Sequence, residues 1–186
     1  MKWQLTVACM VLGLGIFLGD SASSQAAQVG DAAAEDVAAQ LSSNYSEQQK
    51  ILRKNAPVHS AAQLAAYLAA PKGSDSPLDS LSPAARARFV DSLKFNEGGV
   101  TSFYYADIES ELTGSQAYAL LSLFGLQGTL QFMPNVRVDS DSDRDIMRAF
   151  GSSTPGIPLP DDHNDYWCSG RATCSRNVGS ICTGNC

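Results

Sequence analysis

Four cysteines within nineteen residues, Cys168, Cys174, Cys182 and Cys186, carry the clearest chemistry of this 186-residue chain. Their spacing is C-x5-C-x7-C-x3-C. Cysteines at this density either close disulfides in an oxidising compartment or hold zinc as thiolates. Zinc sites usually draw their ligands in pairs about two to four residues apart. Only Cys182 and Cys186 approach that spacing, with His163 as the nearest other donor type. Two disulfides are therefore the expectation, and no metal. Four cysteines allow three pairings, and spacing does not choose among them. Each closed loop is worth about 2–3 kcal/mol on the chain-entropy model. That matters here, because Cys168–Cys186 contains no Leu, Phe or Met from which to build a core.

Other groupings lead away from catalysis. Asp139, Asp141 and Asp143 spell D-x-D-x-D, the opening of a calcium loop. Arg144 stands where such a loop needs glycine, and Phe150 where it needs a bidentate acid. An acidic helix start is expected instead, in keeping with the helix dipole. Glu97, Asp107, Glu109 and Glu111 could supply a carboxylate pair, but acids on helix surfaces are common. Of the two histidines, His59 precedes a helix start as a capping residue would, and neither lies in a catalytic setting. There is no G-x-S-x-G elbow and no phosphate-cradling glycine loop. The expectation is a non-enzyme without cofactors.

The rest of the chain must deliver and position the cysteines. Lys2, the apolar run Val7–Leu18 and the small residues up to Ala26 and Ala27 have the layout of a secretory signal peptide. The run is too short for a stable membrane span. Residues 1–27 are read as that signal, which makes the product secreted or periplasmic. The net charge of -6 argues against a nucleic-acid partner. From Tyr166 onward the only charges are Arg171 and Arg176, which with Trp167 suit an anionic surface.

Residues 28–150 read as a mainly α domain. Val29–Asn55 is a helix with acids at its start, bases at its end and a thin stripe of Val37, Leu41, Tyr45 and Leu52. Ser60 with Gln63, and Thr113 with Gln116, have capping-box spacing. Ser82-Pro83 begins a further helix. Asn96–Gly99 is a turn, followed by the β-prone VTSFYY without an evident partner strand. The core is placed on Phe89, Leu93, Phe103, Ile108, Leu112, Leu121 and Phe124, with Asp139–Phe150 as a last short helix. Residues 71–80 are a polar connection. Residues 151–165, with three prolines before the acids, read as an accessible linker, and 166–186 as a separate disulfide-rich tail.

LSPAARARF at Leu81–Phe89, ELTGSQAYALLSLFG at Glu111–Gly125 and the tail from Tyr166-Trp167-Cys168 to Cys186 give a chain that resembles precursors of secreted bacteriocin-type peptides of the fulvocin-C-related group. The resemblance implies an antibacterial or signalling peptide matured from the C-terminal part. The leading expectation is thus an exported bacterial precursor whose disulfide-bonded tail is the active part. Its partners would be a target-cell surface or receptor and a processing protease. The alternative is a secreted or periplasmic helical binding module that the tail merely stabilises. In that case the tail packs on the helical body.

Overall fold

The structure, a computed structural model, describes residues 22–70, 76–151 and 161–186, with side chains from residue 35 onward. The apolar run Val7–Leu18 read as a signal, residues 71–75 of the polar connection and residues 152–160 of the linker lie outside the described residues. Two compact units are present, Met1–Val37 and Ala38–Cys186. The core and the sheet belong to the second.

Among the described residues the α-helices are α1 (Ala22–Lys54), α2 (Ala61–Ala69), α3 (Pro83–Ser92), α4 (Ala106–Glu111), α5 (Gly114–Ser122) and α6 (Asp141–Phe150). The strands are β1 (Lys94–Asn96), β2 (Gly99–Tyr104), β3 (His163–Gly170) and β4 (Thr173–Cys182). More than half of the described residues are helical. The mainly α expectation nevertheless needs correction, because the strands form one antiparallel sheet in the order β1-β2-β4-β3. VTSFYY does have partners. It pairs with β1 across the expected turn and with Ser180–Cys182 on its other side. The second partner is remote in sequence, so no local signal announces it.

The helix starts follow their caps. Ser82 accepts from the Ala85 amide with Pro83 at the first helical position. Thr113 and Gln116 close a full capping box. Ser60 accepts from the Gln63 amide, but Gln63 Oε1 reaches back to the amide of His59 instead, and His59 Nδ1 meets the Ala56 carbonyl at 2.8 Å. Phe89 meets Phe103 and Phe124 edge-on, at 6.1 and 5.6 Å between ring centres. Ile108, Leu112 and Leu121 are buried with them as expected, while Leu93 is only half-buried.

The packed face of α1 keeps Tyr45 of the expected stripe but not its other members. Val37 and Leu41 are 56% and 53% exposed, and Leu52 is also exposed. Tyr45, Gln49 and Arg53, four residues apart on one helix face, turn inward instead. The polar face is buried because Arg53 has a buried partner, Asp162.

The three acids of the D-x-D-x-D segment go to three different partners. Asp139 lies 3.9 Å from Arg137, and Asp141 pairs with Arg144. Asp143 turns inward and accepts from the Ser115 amide (2.8 Å), the Ser140 amide (2.9 Å), Ser140 Oγ (2.7 Å) and the Asp139 amide (3.1 Å). These hydrogen bonds, Ser115's foremost, hold its carboxyl well below the usual carboxylate range against the opposing effect of burial. Its pKa is depressed on folding. The stabilisation is therefore full above the unfolded value of about 3.9 and is lost as pH falls toward the folded value. Asp143→Asn is expected to cost about 2 kcal/mol at neutral pH. The difference from the parent, followed by thermal melts, should shrink steadily below about pH 4. A difference that stays constant into strong acid would contradict this role.

The other acids are also structural. Asp107 takes a two-pronged bond from Arg88, both contacts 2.8 Å. Glu111 accepts from the amide and hydroxyl of Ser82 at 2.7 and 2.8 Å, and Glu109 accepts from Asn135 at 3.0 Å.

Candidate functional site

The cysteine segment is a hairpin folded back on itself. β3 and β4 meet at Gly170 and Thr173, but their ladder is interrupted. Asn164 pairs with Ile181 and Tyr166 with Arg176, so residues 177–180 stand opposite Asp165 alone. Both sides of this bend take the left-handed conformation, Asp165 at φ 63° and Gly179 at φ 81°. Glycine suits its position, and a Cβ there would lie 2.7 Å from the Tyr104 ring. Asp165 Oδ1 accepts from the Gly179 amide at 2.9 Å, and the Tyr105 amide donates to the Gly179 carbonyl at 2.7 Å. Burial, and then the Asp165 charge, pushes the Tyr105 hydroxyl above its ordinary pKa.

The disulfides hold the bend. Cys174 and Cys182 are eight residues apart on one strand. A straight strand would separate them by about 26 Å, yet their Cα atoms are 6.0 Å apart and their sulfurs are bonded. Cys168 and Cys186 are bonded in the same way, 5.6 Å apart at Cα. The hairpin therefore doubles over, and its tip half is stapled to its base half.

The doubled-over tip meets β1. Lys94 Nζ lies 3.4 Å from the centre of the Trp167 ring and donates to the Cys168 carbonyl at 3.2 Å. Beside this contact runs an open groove of about 640 Å³. It is lined by the β1–β2 turn from Lys94 to Gly98, the tip from Cys168 to Arg171, Thr101, Asn185 and Cys186. Asn185 Nδ2 donates to the Gly98 carbonyl at 2.8 Å, and Asn96 Nδ2 to the Asn185 carbonyl. A second cavity of about 390 Å³ shares Lys94 with the groove and adds Trp167, Arg88, Tyr104 and Asn177. The groove offers two cations, Lys94 and Arg171, one acid, Glu97, two amides and the half-buried Phe95. Such a set can orient a polar ligand that has an apolar side.

The hairpin's entry and exit are anchored to α1. Arg53 Nη2 meets Asp162 Oδ2 at 2.6 Å, the side chains 2% and 7% exposed. The other Asp162 oxygen accepts from the Gly184 amide at 2.8 Å, and Ser46 donates to Asp161. Burial raises the Tyr45 hydroxyl above its ordinary value, with Asp162 adding and Arg53 opposing.

The residues singled out from sequence are divided by this geometry. All four cysteines converge. Arg171 and Cys168 line the groove with Cys186, and Trp167 lines the neighbouring cavity. Arg176 stands opposite Tyr166 in the ladder, whereas Trp167 stands opposite Ser175. Adjacent strand positions face opposite ways, so Arg176 and Trp167 lie on different faces and form no single cationic–aromatic patch. His163 packs its ring on Tyr166, 6.1 Å away. Lys94, Phe95, Asn185 and Asp162 were not legible as site residues. The one local hint was the Asn96–Gly99 turn beside Lys94. Comparisons with protein-family models, curated proteins and solved structures find no match for this chain.

Proposed function

We propose that the protein is an exported binding module, secreted or periplasmic, whose stapled hairpin and groove form the recognition surface. One observation carries this reading. β4 is a strand of the central sheet, pairing with β2 through Ser180–Cys182, and Ile181 and Cys182 are wholly buried. The Thr183 amide donates to the Thr101 carbonyl at 2.8 Å and its hydroxyl to the Val100 carbonyl at 2.7 Å. A peptide meant for release would leave the body's sheet open along β2. Two disulfides belong to a protein that works in an oxidising setting. No described helix is long and apolar enough to cross a membrane. The partner on this reading is a ligand or receptor at the cell surface or in the envelope.

The second reading is a bacteriocin-like precursor that releases its tail. It is favoured by one fact: both disulfides close within residues 168–186, so neither ties the hairpin covalently to the body. The two readings separate in one experiment. A protease site placed within residues 152–160 is cut in the purified oxidised protein, and the product is run on size exclusion at about 1 µM. The binding-module reading expects the hairpin fragment to co-elute with the body and to part from it only in denaturant. That requires an association of about 8 kcal/mol. Separation in native buffer, with the free fragment active on target cells, would move the conclusion to the released peptide.

A further inference from the structure

The four sulfurs are arranged so that their bonding can be exchanged. Cys168 and Cys174 are direct neighbours across the β3–β4 ladder, yet each is bonded elsewhere. Directly opposed antiparallel residues have Cα atoms about 4.5–5.5 Å apart, inside the range a disulfide accepts. The sulfurs of Cys168, Cys182 and Cys186 all lie within 4.8 Å of one another. The two bonds differ in access. Cys168 and Cys186 line the open groove, while Cys182 is wholly buried. Lys94, which donates to the Cys168 carbonyl, lines the same groove as Cys168 and Cys186. Arg171 lines the same groove. A cation near a sulfur favours its thiolate, which makes that sulfur the better leaving group.

We propose that Cys168–Cys186 is an exchange site for a thiolate-bearing partner in the groove, and that attack there converts the pairing to Cys168–Cys174 and Cys182–Cys186. The partner's thiolate attacks Cys186 Sγ, forming a mixed disulfide and expelling the Cys168 thiolate. That thiolate attacks Cys174 Sγ, forming the cross-strand bond and expelling the Cys182 thiolate. Cys182 then attacks the mixed disulfide at Cys186 and returns the partner's thiolate. Two disulfides are present at the start and at the end, so the partner thiol is a catalyst and no net oxidant or reductant is consumed. The new pairing removes both staples that hold the tip half against the base half. Non-covalent contacts, among them the Ala172–Cys186 hydrogen bond and those of Lys94, then replace covalent staples, so the tip can swing at Asp165 and Gly179 and the groove opens.

Trypsin reads the outcome directly, because Arg171 and Arg176 separate Cys168, Cys174 and the Cys182–Cys186 pair. The oxidised full-length protein is treated with limiting glutathione in native buffer, quenched in acid and digested. The starting pairing joins three peptides into one species. The exchanged pairing gives a two-peptide species containing Cys168 and Cys174, and a separate peptide from Asn177 with an internal bridge. Appearance of these two products, slowed about two- to fivefold in Lys94→Met, is the expected result. The variant combining Cys174→Ser and Cys182→Ser has no forward route, only reversal by Cys168, and should carry more glutathione on Cys186 than the parent does. Retention of the three-peptide species alone, or full reduction without the exchanged pair, overturns the proposal. So does a double variant that takes up no glutathione.

Discussion

Reducing both disulfides is expected to lower the melting temperature by about 10–20 °C. The loops closed by Cys174–Cys182 and Cys168–Cys186 are worth about 2.5 and 3 kcal/mol on the chain-entropy model. The smaller lies within the larger, so about 5 kcal/mol in total is an upper figure. A domain of this size shifts by about 2–4 °C per kcal/mol. The effect is also local. Once unstapled, the bend keeps hydrogen bonds joining Asp165, Tyr105 and Gly179, and the tip keeps the Ala172–Cys186 bond and its Lys94 contacts. The tip half should then lose amide-exchange protection before the body does. Calorimetry with and without a phosphine reductant, joined to hydrogen exchange over residues 163–186, makes the test. An unchanged melting temperature would mean that the sheet alone holds the hairpin.

Asp162→Ala is expected to cost about 3–5 kcal/mol, more than any exposed ion pair in the molecule. Removing one partner of a buried pair leaves the other charge without compensation. Arg53 is almost wholly buried, and its Nε already lacks a protein partner. The same change removes the acceptor for the Gly184 amide, which positions the residues after β4. The double variant Arg53→Met with Asp162→Leu should recover most of the loss, because a buried pair often contributes little relative to packed apolar residues. Urea titration of the three proteins decides it. A single variant within 1 kcal/mol of the parent would show that water reaches Arg53, and the anchor between α1 and the hairpin would then be a weak one.

The helix caps and the turn at Asn96–Gly99 were readable because each depends on residues three or four apart. Ser82-Pro83 and the Thr113/Gln116 pair behave as their spacing requires. The aromatic core around Phe89 followed from apolar density. The reading of α1 went astray because an apolar stripe is a local pattern, while the rotation of the helix answers to Asp162, more than a hundred residues away. The cysteine segment misled for a related reason. It lacks large apolar residues apart from Ile181 and Val178, so it looked coreless. Ile181 nevertheless enters the body's core, through a strand pairing with β2 that has no marker in either sequence.

By itself, the sequence determined that four cysteines would cluster, that capped helices would precede them, and that the tail would carry Arg171, Arg176 and Trp167. These are matters of composition and of interactions within a few residues. The tertiary structure alone decided which sulfurs bond, that the hairpin doubles back at Asp165 and Gly179, and that Lys94 joins Trp167 at a groove. Those outcomes depend on which distant backbone groups share a sheet. That choice is made by burial of Ile181 and by the Arg53–Asp162 pair, and no spacing in the chain records it.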